Sequence, residues 1–299
     1  MIYGAIDIGT NAARLLIGEI AEDDGHAFVK KISYIRVPLR LGMDVFENGI
    51  ITEHKITEFK KSMKAFKLIS EVFEVDELRA CATSAMREAT NGKAVRDLIQ
   101  TETGVNIEII KGQEEAELIF STFLLLEHDM KDPFIVIDVG GGSTEISIFS
   151  KSEKPVSRSF RLGTIRLLKG KADKSEWKEM SEWINDNLKK NSKYKVFGTG
   201  GNINKIHKFI GKKEKDAISL KEIDDVYDKL RKFNVEERIA KFNMKPDRAD
   251  VILPACEIYI FAMKELKVKD LFVPKVGLAD GMIYNLHQKK SVATTVLSS

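Results

Sequence analysis

The sequence predicts an α/β protein with layered sheets, built from two versions of one unit. Short apolar strands alternate with helical stretches along the whole chain, the pattern of a layered α/β fold. The stretch IYGAIDIGTNAARLLIGEI near the start has a counterpart in FIVIDVGGGSTEISIFS from Phe134. In each, a buried strand ends in Asp, crosses a Gly-bearing turn and is followed by a returning strand, which reads as an internal duplication. At 299 residues and 43% hydrophobic composition, the chain is long enough for two cores rather than one.

Taken in order, IYGAIDI (2–8), RLLIGEI (14–20) and AFVKKISYIRVPL (27–39) read as strands separated by Gly, Asn and Asp turns. ITEHKITEFKKSMKAFKLISEVF places Ile56, Phe59, Met63, Phe66 and Ile69 at helical spacing. LRACATS is a strand, and NGKAVRDLIQTETG is a helix with Asn91 as its expected cap and Gly104 as its stop. VNIEIIKG is a strand and EEAELIFSTFLLLE a helix. The seam of the duplication is expected near 122–132, in the polar connection EHDMKDP and just before it. Beyond FIVIDV and TEISIFS come a strand at KYKVFGT and helices after Asp173, Asn202, Ser219 and Asp247. The tail SVATTVLSS is expected to be loose.

Composition narrows the function classes. Charged residues reach 31%, yet the net charge is only +3, which is not the signature of a dedicated nucleic-acid binder. The Lys-rich runs KKNSKYK and KIHKFIGKKEKD could steer a polyanion, but with acidic residues interleaved nearby they read first as solvated faces. Cys81 and Cys256 lie far apart without metal spacing, which points to a reduced, cytoplasmic setting. The start MIYGAIDIGT reads directly into a strand, with no signal peptide expected, and no apolar run has the length of a membrane span. The five histidines are scattered, which argues against a zinc site, and no G-x-S-x-G or Cys-His nucleophile pattern is present.

The glycine turns carry the chemistry. A single Gly turn is commonly no more than a hairpin. Two of them, Asp7-Ile8-Gly9-Thr10-Asn11 and Asp138-Val139-Gly140-Gly141-Gly142, suggest paired backbone nests for anions. Carboxylates at the strand ends would repel such an anion unless a divalent cation lies between, and Mg²⁺ is held by one or two carboxylates plus phosphate oxygens. VFGTGGNINKI repeats the strand-to-glycine logic and opens a helix, whose first N–H groups attract anions. ATSAMREA leaves a strand and presents Arg87, a side chain shaped for phosphate but equally at home on a solvated surface.

Glu115 stands out within GQEEAELIFSTFLLLE. The apolar stripe runs Ala116, Ile119, Phe120, Phe123 and Leu126, and helical spacing back from Ile119 and Phe123 reaches Glu115. Glu114 aligns instead with Glu117, Leu118 and Ser121 on a mixed face. The helix dipole accounts for Glu114 well and for Glu115 only in part, since a carboxylate at the edge of a core needs a task.

DIGTNAARLLI, ATSAMREA, IKGQEEAELIF, VIDVGGGSTEISI, RLGTIRL, FGTGGNINKI and GLADGMIYNL occur in this order along the chain. Together they resemble the exopolyphosphatase/guanosine pentaphosphate phosphohydrolase family over nearly the whole length. The resemblance implies the actin/Hsp70/sugar-kinase superfamily, with two actin-like (ribonuclease H-like) domains flanking a phosphate-binding cleft. Their expected bounds are 1–125 and 126–299, with a last helix over about 279–299 available to pack back on the first domain.

The same resemblance implies site roles. Glu115 matches the catalytic base that activates water, and Asp138 and Glu145 match the acidic pair that holds Mg²⁺ or orients the water. Gly9, Thr10, Asn11 and Arg14 match the first phosphate turn, Gly140, Gly141, Gly142 and Ser143 the second, and Gly200, Gly201 and Asn202 the third. Arg87 matches a phosphate contact. The implied activity is release of the terminal phosphate from polyphosphate or guanosine pentaphosphate. A homodimer is expected because symmetric pairs are the commonest assembly, and composition leads us to expect no membrane or specific nucleic-acid partner. The alternatives are a superfamily ATPase or small kinase, and a non-catalytic alarmone sensor. Thr10-Asn11-Ala12 departs from the more usual Ser-Asn-Ser, and Asn202 stands where Thr is common. A helical C-terminal extension found in longer members is not seen, which favours short polyphosphate or guanosine pentaphosphate over long polymer.

Overall fold

Strand β1 (Tyr3–Ile8) is buried at all six positions, as expected of a strand covered on both faces. This computed structural model describes residues 1–23, 26–123, 132–150, 155–189, 192–213 and 215–297, with side chains as far as residue 290. The chain divides into two compact units, Met1–His128 with Val276–Ser299, and Asp129–Lys275.

In the first unit β1 runs antiparallel to β2 (Ala13–Asp23), which pairs with β3 (His26–Val37). On its other side β1 is parallel to β4 (Glu77–Ala82), and β4 is parallel to β5 (Ile107–Ile109), giving the order β3-β2-β1-β4-β5. Helices α1 (Leu41–Asn48), α2 (Glu53–Val72), α3 (Ser84–Glu88), α4 (Gly92–Thr103) and α5 (Gly112–Phe123) connect the strands. Thr52 caps α2 by accepting from the Lys55 N–H, and the helix buries Ile56, Phe59, Met63 and Phe66 as their spacing predicts. Helix α4 stops at Gly104, whose positive φ of 71° closes the last turn on Gln100. Asn91 does not cap α4 with its side chain. It bonds both the N–H and the carbonyl of Ile51, tying the α1–α2 connection to the start of α4.

The second unit repeats the scheme. Strands β6 (Phe134–Val139), β7 (Thr144–Phe149) and β8 (Val156–Phe160) form an antiparallel meander. Helices α6 (Thr164–Leu168) and α7 (Lys174–Asn187) precede β9 (Lys195–Thr199), which is parallel to β6 in the order β8-β7-β6-β9. Helix α8 (Gly201–Ile210) follows β9. A small pair, β10 (Ile218–Ser219) and β11 (Asp270–Leu271), flanks helices α9 (Leu220–Leu230), α10 (Val235–Phe242), α11 (Pro246–Ala249) and α12 (Ile252–Glu265). A parallel bridge from Phe197 to Phe272 extends the β9 edge, in the place β5 holds beside β4 in the first unit. The core joins Ile135, Ile137, Ile146, Val196, Ile203, Ile223, Cys256 and Tyr259, all at most 1% exposed.

Helix α13 (Leu278–Leu297) belongs to the first unit and packs on β1, β2 and α5. Tyr3 Oη lies 3.3 Å from His287 Nδ1, and Lys31 pairs with Asp280 at 2.9 Å. The tail expected to be loose is therefore helical as far as Leu297. The short helices α1, α3, α6 and α10 were not foreseen from periodicity. The expected seam falls largely on 124–131, outside the described residues, as does Leu126. No helix among the described residues is long and apolar enough to cross a membrane.

Candidate active site

In the first unit, the candidates gather at the carboxyl ends of three neighbouring parallel strands, where α/β sheets place ligands. Residues Gly9 to Ala12 link β1 to β2 in a turn closed by the Gly9 N–H on the Ala12 carbonyl at 3.1 Å. Thr83 follows β4 and donates its N–H to Ile8, which sets ATSAMREA beside that turn. Arg87 reaches back from α3, donating to the Ile110 carbonyl at 2.7 Å and to the Ser84 hydroxyl at 3.3 Å. It thereby braces the chain just before α5. Glu115 lies in the first turn of α5 and is buried at 8% exposure. Glu114 points the other way and pairs with Arg79 at 2.9 Å. Leu118, assigned from the sequence to the mixed face, is buried, because α13 covers that side of α5.

In the second unit, Asp138 and Glu145 are directly opposed across β6 and β7. They share the sheet face opposite Ile137 and Ile146. Glu145 Oε1 accepts from Ser143 Oγ at 2.7 Å and Ser159 Oγ at 2.6 Å, while Asp138 Oδ1 accepts from Thr199 Oγ1 at 2.7 Å. The Gly140–Ser143 turn follows β6, closed by the Gly140 N–H on Ser143 at 2.9 Å. Beside it, Gly200 and Gly201 lead into α8. Gly200 has a φ of +99°, which favours glycine, and a Cβ there would crowd Asp138 Oδ1 at 3.0 Å. Arg248 on α11 lies across the start of α8 and donates to Asn202 Oδ1 at 2.7 Å.

Superposing the two hairpins by register makes the duplication quantitative. Asp7 pairs with Arg14 where Asp138 pairs with Glu145, and both turns hold four residues. In the first unit Arg14 donates to Asp7 and neutralises it. In the second, two carboxylates oppose each other, an arrangement that costs free energy unless positive charge or donors compensate. The donors present are hydroxyls and carboxylate oxygens without nitrogen or sulfur, a set that suits a hard divalent cation such as Mg²⁺.

The sequence model of the Ppx/GppA phosphatase family matches residues 20–290. The chain belongs to that family. Among curated relatives, an exopolyphosphatase 1 of Mycobacterium bovis is 30% identical over 167 residues, covering 56% of this chain and 48% of the relative. A bifunctional 3-dehydroquinate synthase/phosphatase of Fusobacterium nucleatum is 28% identical over 276 residues, covering 84% of this chain and 41% of the relative. The chain thus spans about half or less of the length of these curated relatives. The crystal structure of the Aquifex aeolicus Ppx/GppA family member superposes with a TM-score of 0.74 at 25% identity, covering 97% of this chain and 98% of that one. An exopolyphosphatase structure from Cytophaga hutchinsonii shares the fold, with a TM-score of 0.80 at 24% identity, covering 96% of this chain and 97% of that one. The α/β fold with two actin-like sheets expected from the resemblance is the Ppx/GppA fold.

Sequence reasoning overlooked several residues that support these turns. Thr199 supports the turns from within VFGTGGNINKI, and Arg248 and Tyr259 do so from outside any motif. Tyr259 Oη donates to the Thr199 carbonyl at 2.6 Å, and burial, reinforced by the Asp138 carboxylate, holds its phenol well above the usual range. It stays a neutral donor and fixes the end of β9. Carrying the alignment of the two hairpins past the strand-end aspartates would have revealed Arg14 as the counterpart of Glu145.

Proposed function

We propose that the protein is a phosphoanhydride hydrolase that releases the terminal phosphate of inorganic polyphosphate, guanosine pentaphosphate or both. The observation that carries this reading is the opposed Asp138–Glu145 pair at the foot of the Gly140–Ser143 turn, a combination suited to phosphate with a divalent cation. Membership of a phosphatase family supports it, as do the exopolyphosphatase names of relatives. Asp138 and Glu145 hold Mg²⁺, which when bound offsets the charge of the phosphates. The N–H groups of the three glycine turns bind and orient phosphate oxygens. Glu115, in the positive field of its helix N-terminus, takes a proton from the attacking water. Phosphoryl transfer needs little beyond such positioning and charge compensation. The protein acts in the cytoplasm as a homodimer, a reading supported by its two buried free thiols and by the prevalence of symmetric pairs.

The test is release of inorganic phosphate from short polyphosphate, long polyphosphate, guanosine pentaphosphate and ATP, with Mg²⁺ and with EDTA. Turnover of one of the first three above ATP, abolished by EDTA, is expected. Glu115→Gln should lower that turnover by about 10²–10⁴-fold while tripolyphosphate still binds. Near-normal turnover in Glu115→Gln removes it from the base role, and preference for ATP with transfer to an acceptor replaces hydrolysis by kinase chemistry.

A further inference from the structure

RLGTIRL has no part in the chemistry above, yet its backbone and one side chain grip the Gly140–Ser143 turn. The Thr164 N–H donates to the Gly140 carbonyl at 3.0 Å, and the N–H groups of Ile165 and Arg166 donate to Gly141 at 2.8 and 3.2 Å. Arg166 Nε donates to the Gly142 carbonyl at 2.8 Å from a position only 3% exposed. All three glycine carbonyls are therefore held from one side. Thr144 Oγ1 anchors the segment in turn, donating to the Leu162 carbonyl at 2.6 Å. Gly163 admits the approach: a Cβ there would lie 2.5 Å from Gly141 and would overlap the Gly142 backbone.

A trans peptide points its C=O and N–H in opposite directions, and the described residues contain no cis peptide. Holding the carbonyls of Gly140, Gly141 and Gly142 on the α6 side thus turns the N–H groups of Gly141, Gly142 and Ser143 to the other. Among the described residues, the N–H groups of Gly141 and Gly142 meet no backbone or side-chain acceptor. Glycines left to themselves would sample many peptide orientations. The first unit solves the same problem at the equivalent junction. There the N–H groups of Gly42 and Arg40, where β3 leads into α1, hold the carbonyls of Thr10 and Asn11 at 3.0 Å each. The second unit differs in using a buried guanidinium for its last carbonyl. Burying that charge is costly, and its place beneath the turn adds fixed positive charge behind an anion nest.

We propose that Leu162–Arg166 is the mould of the second phosphate turn, with Gly163 and Arg166 as positioning residues that aim its N–H groups at substrate phosphate. This inference rests on the phosphate-binding reading of the turn. The test uses the full chain labelled with ¹⁵N-glycine, titrated with inorganic tripolyphosphate, for wild type, Arg166→Met and Arg166→Lys. In wild type the Gly141 and Gly142 amides shift on titration. In folded Arg166→Met the shifts vanish and affinity falls by about 10–100-fold, the worth of a hydrogen bond from a charged group. Arg166→Lys, which keeps the charge, recovers part of the affinity, and it decides the matter if Arg166→Met does not fold. If wild type binds no tripolyphosphate, the phosphate reading falls and the mould with it. If wild type binds while the Arg166 variants keep its affinity and both amide shifts, the phosphate reading stands and the mould is overturned.

Discussion

The sharpest contrast at the scale of single residues lies between two aspartates at equivalent places in duplicated hairpins. Asp7 faces Arg14, whereas Asp138 faces Glu145. Removing the charge should therefore have opposite effects on stability. Asp7→Asn deprives Arg14 of an ion-pair partner and should lower stability by about 1 kcal/mol. Asp138→Asn relieves a like-charge opposition and can still accept from Thr199, so metal-free protein should gain about 0.2–1 kcal/mol. Urea melts in EDTA and in Mg²⁺ check both. Mg²⁺ should raise the wild-type midpoint and leave Asp138→Asn unmoved. Changes of the same sign in EDTA would contradict the proposed contrast. The burial of Glu115 was readable from sequence because helical spacing places it at the edge of an apolar stripe. Arg166 was not, because its partner is a carbonyl 24 residues earlier, and no local pattern encodes a distant backbone acceptor.

Among the elements, α13 comes closest to the backbone of α5 at Gly281. Gly281 faces Leu118 so closely that an added Cβ would overlap the Leu118 carbonyl oxygen. In an open helix Gly→Ala gains up to about 1 kcal/mol. Here Gly281→Ala should cost about 1–3 kcal/mol by overpacking. It should also depress turnover, because Leu118 lies one turn beyond Glu115. Denaturant unfolding and phosphate release on the same preparation test this, and a more stable variant would show that the helices separate freely. The long elements were legible: α2 and α4 carry an apolar stripe with a cap or a glycine stop, and β1, β2, β6 and β7 carry the repeat. The one-turn helices α3 and α6 were not. Five residues hold too little periodicity to register, and their conformation comes from contacts made by neighbouring turns, such as Ile165 on Gly141.

At the level of the whole molecule, each unit carries one buried free cysteine, Cys81 in the first and Cys256 in the second. Burial pushes both thiols up to about 12. An unfolded cysteine titrates near 8.5, so at pH 8 both native thiols should resist alkylation and react only on opening. Peptide mapping after iodoacetamide labelling in graded urea gives one opening curve per unit. Curves that coincide mean cooperative unfolding of the molecule, and curves that part mean independent units; rapid labelling in native buffer would contradict the burial. The connectivity of α13 adds a consequence for biosynthesis. Tyr3 is covered by a helix translated only after the whole of Asp129–Lys275. The first sheet must therefore wait, one apolar flank bare, through translation of Asp129–Lys275, and that interval is when a chaperone has most to protect.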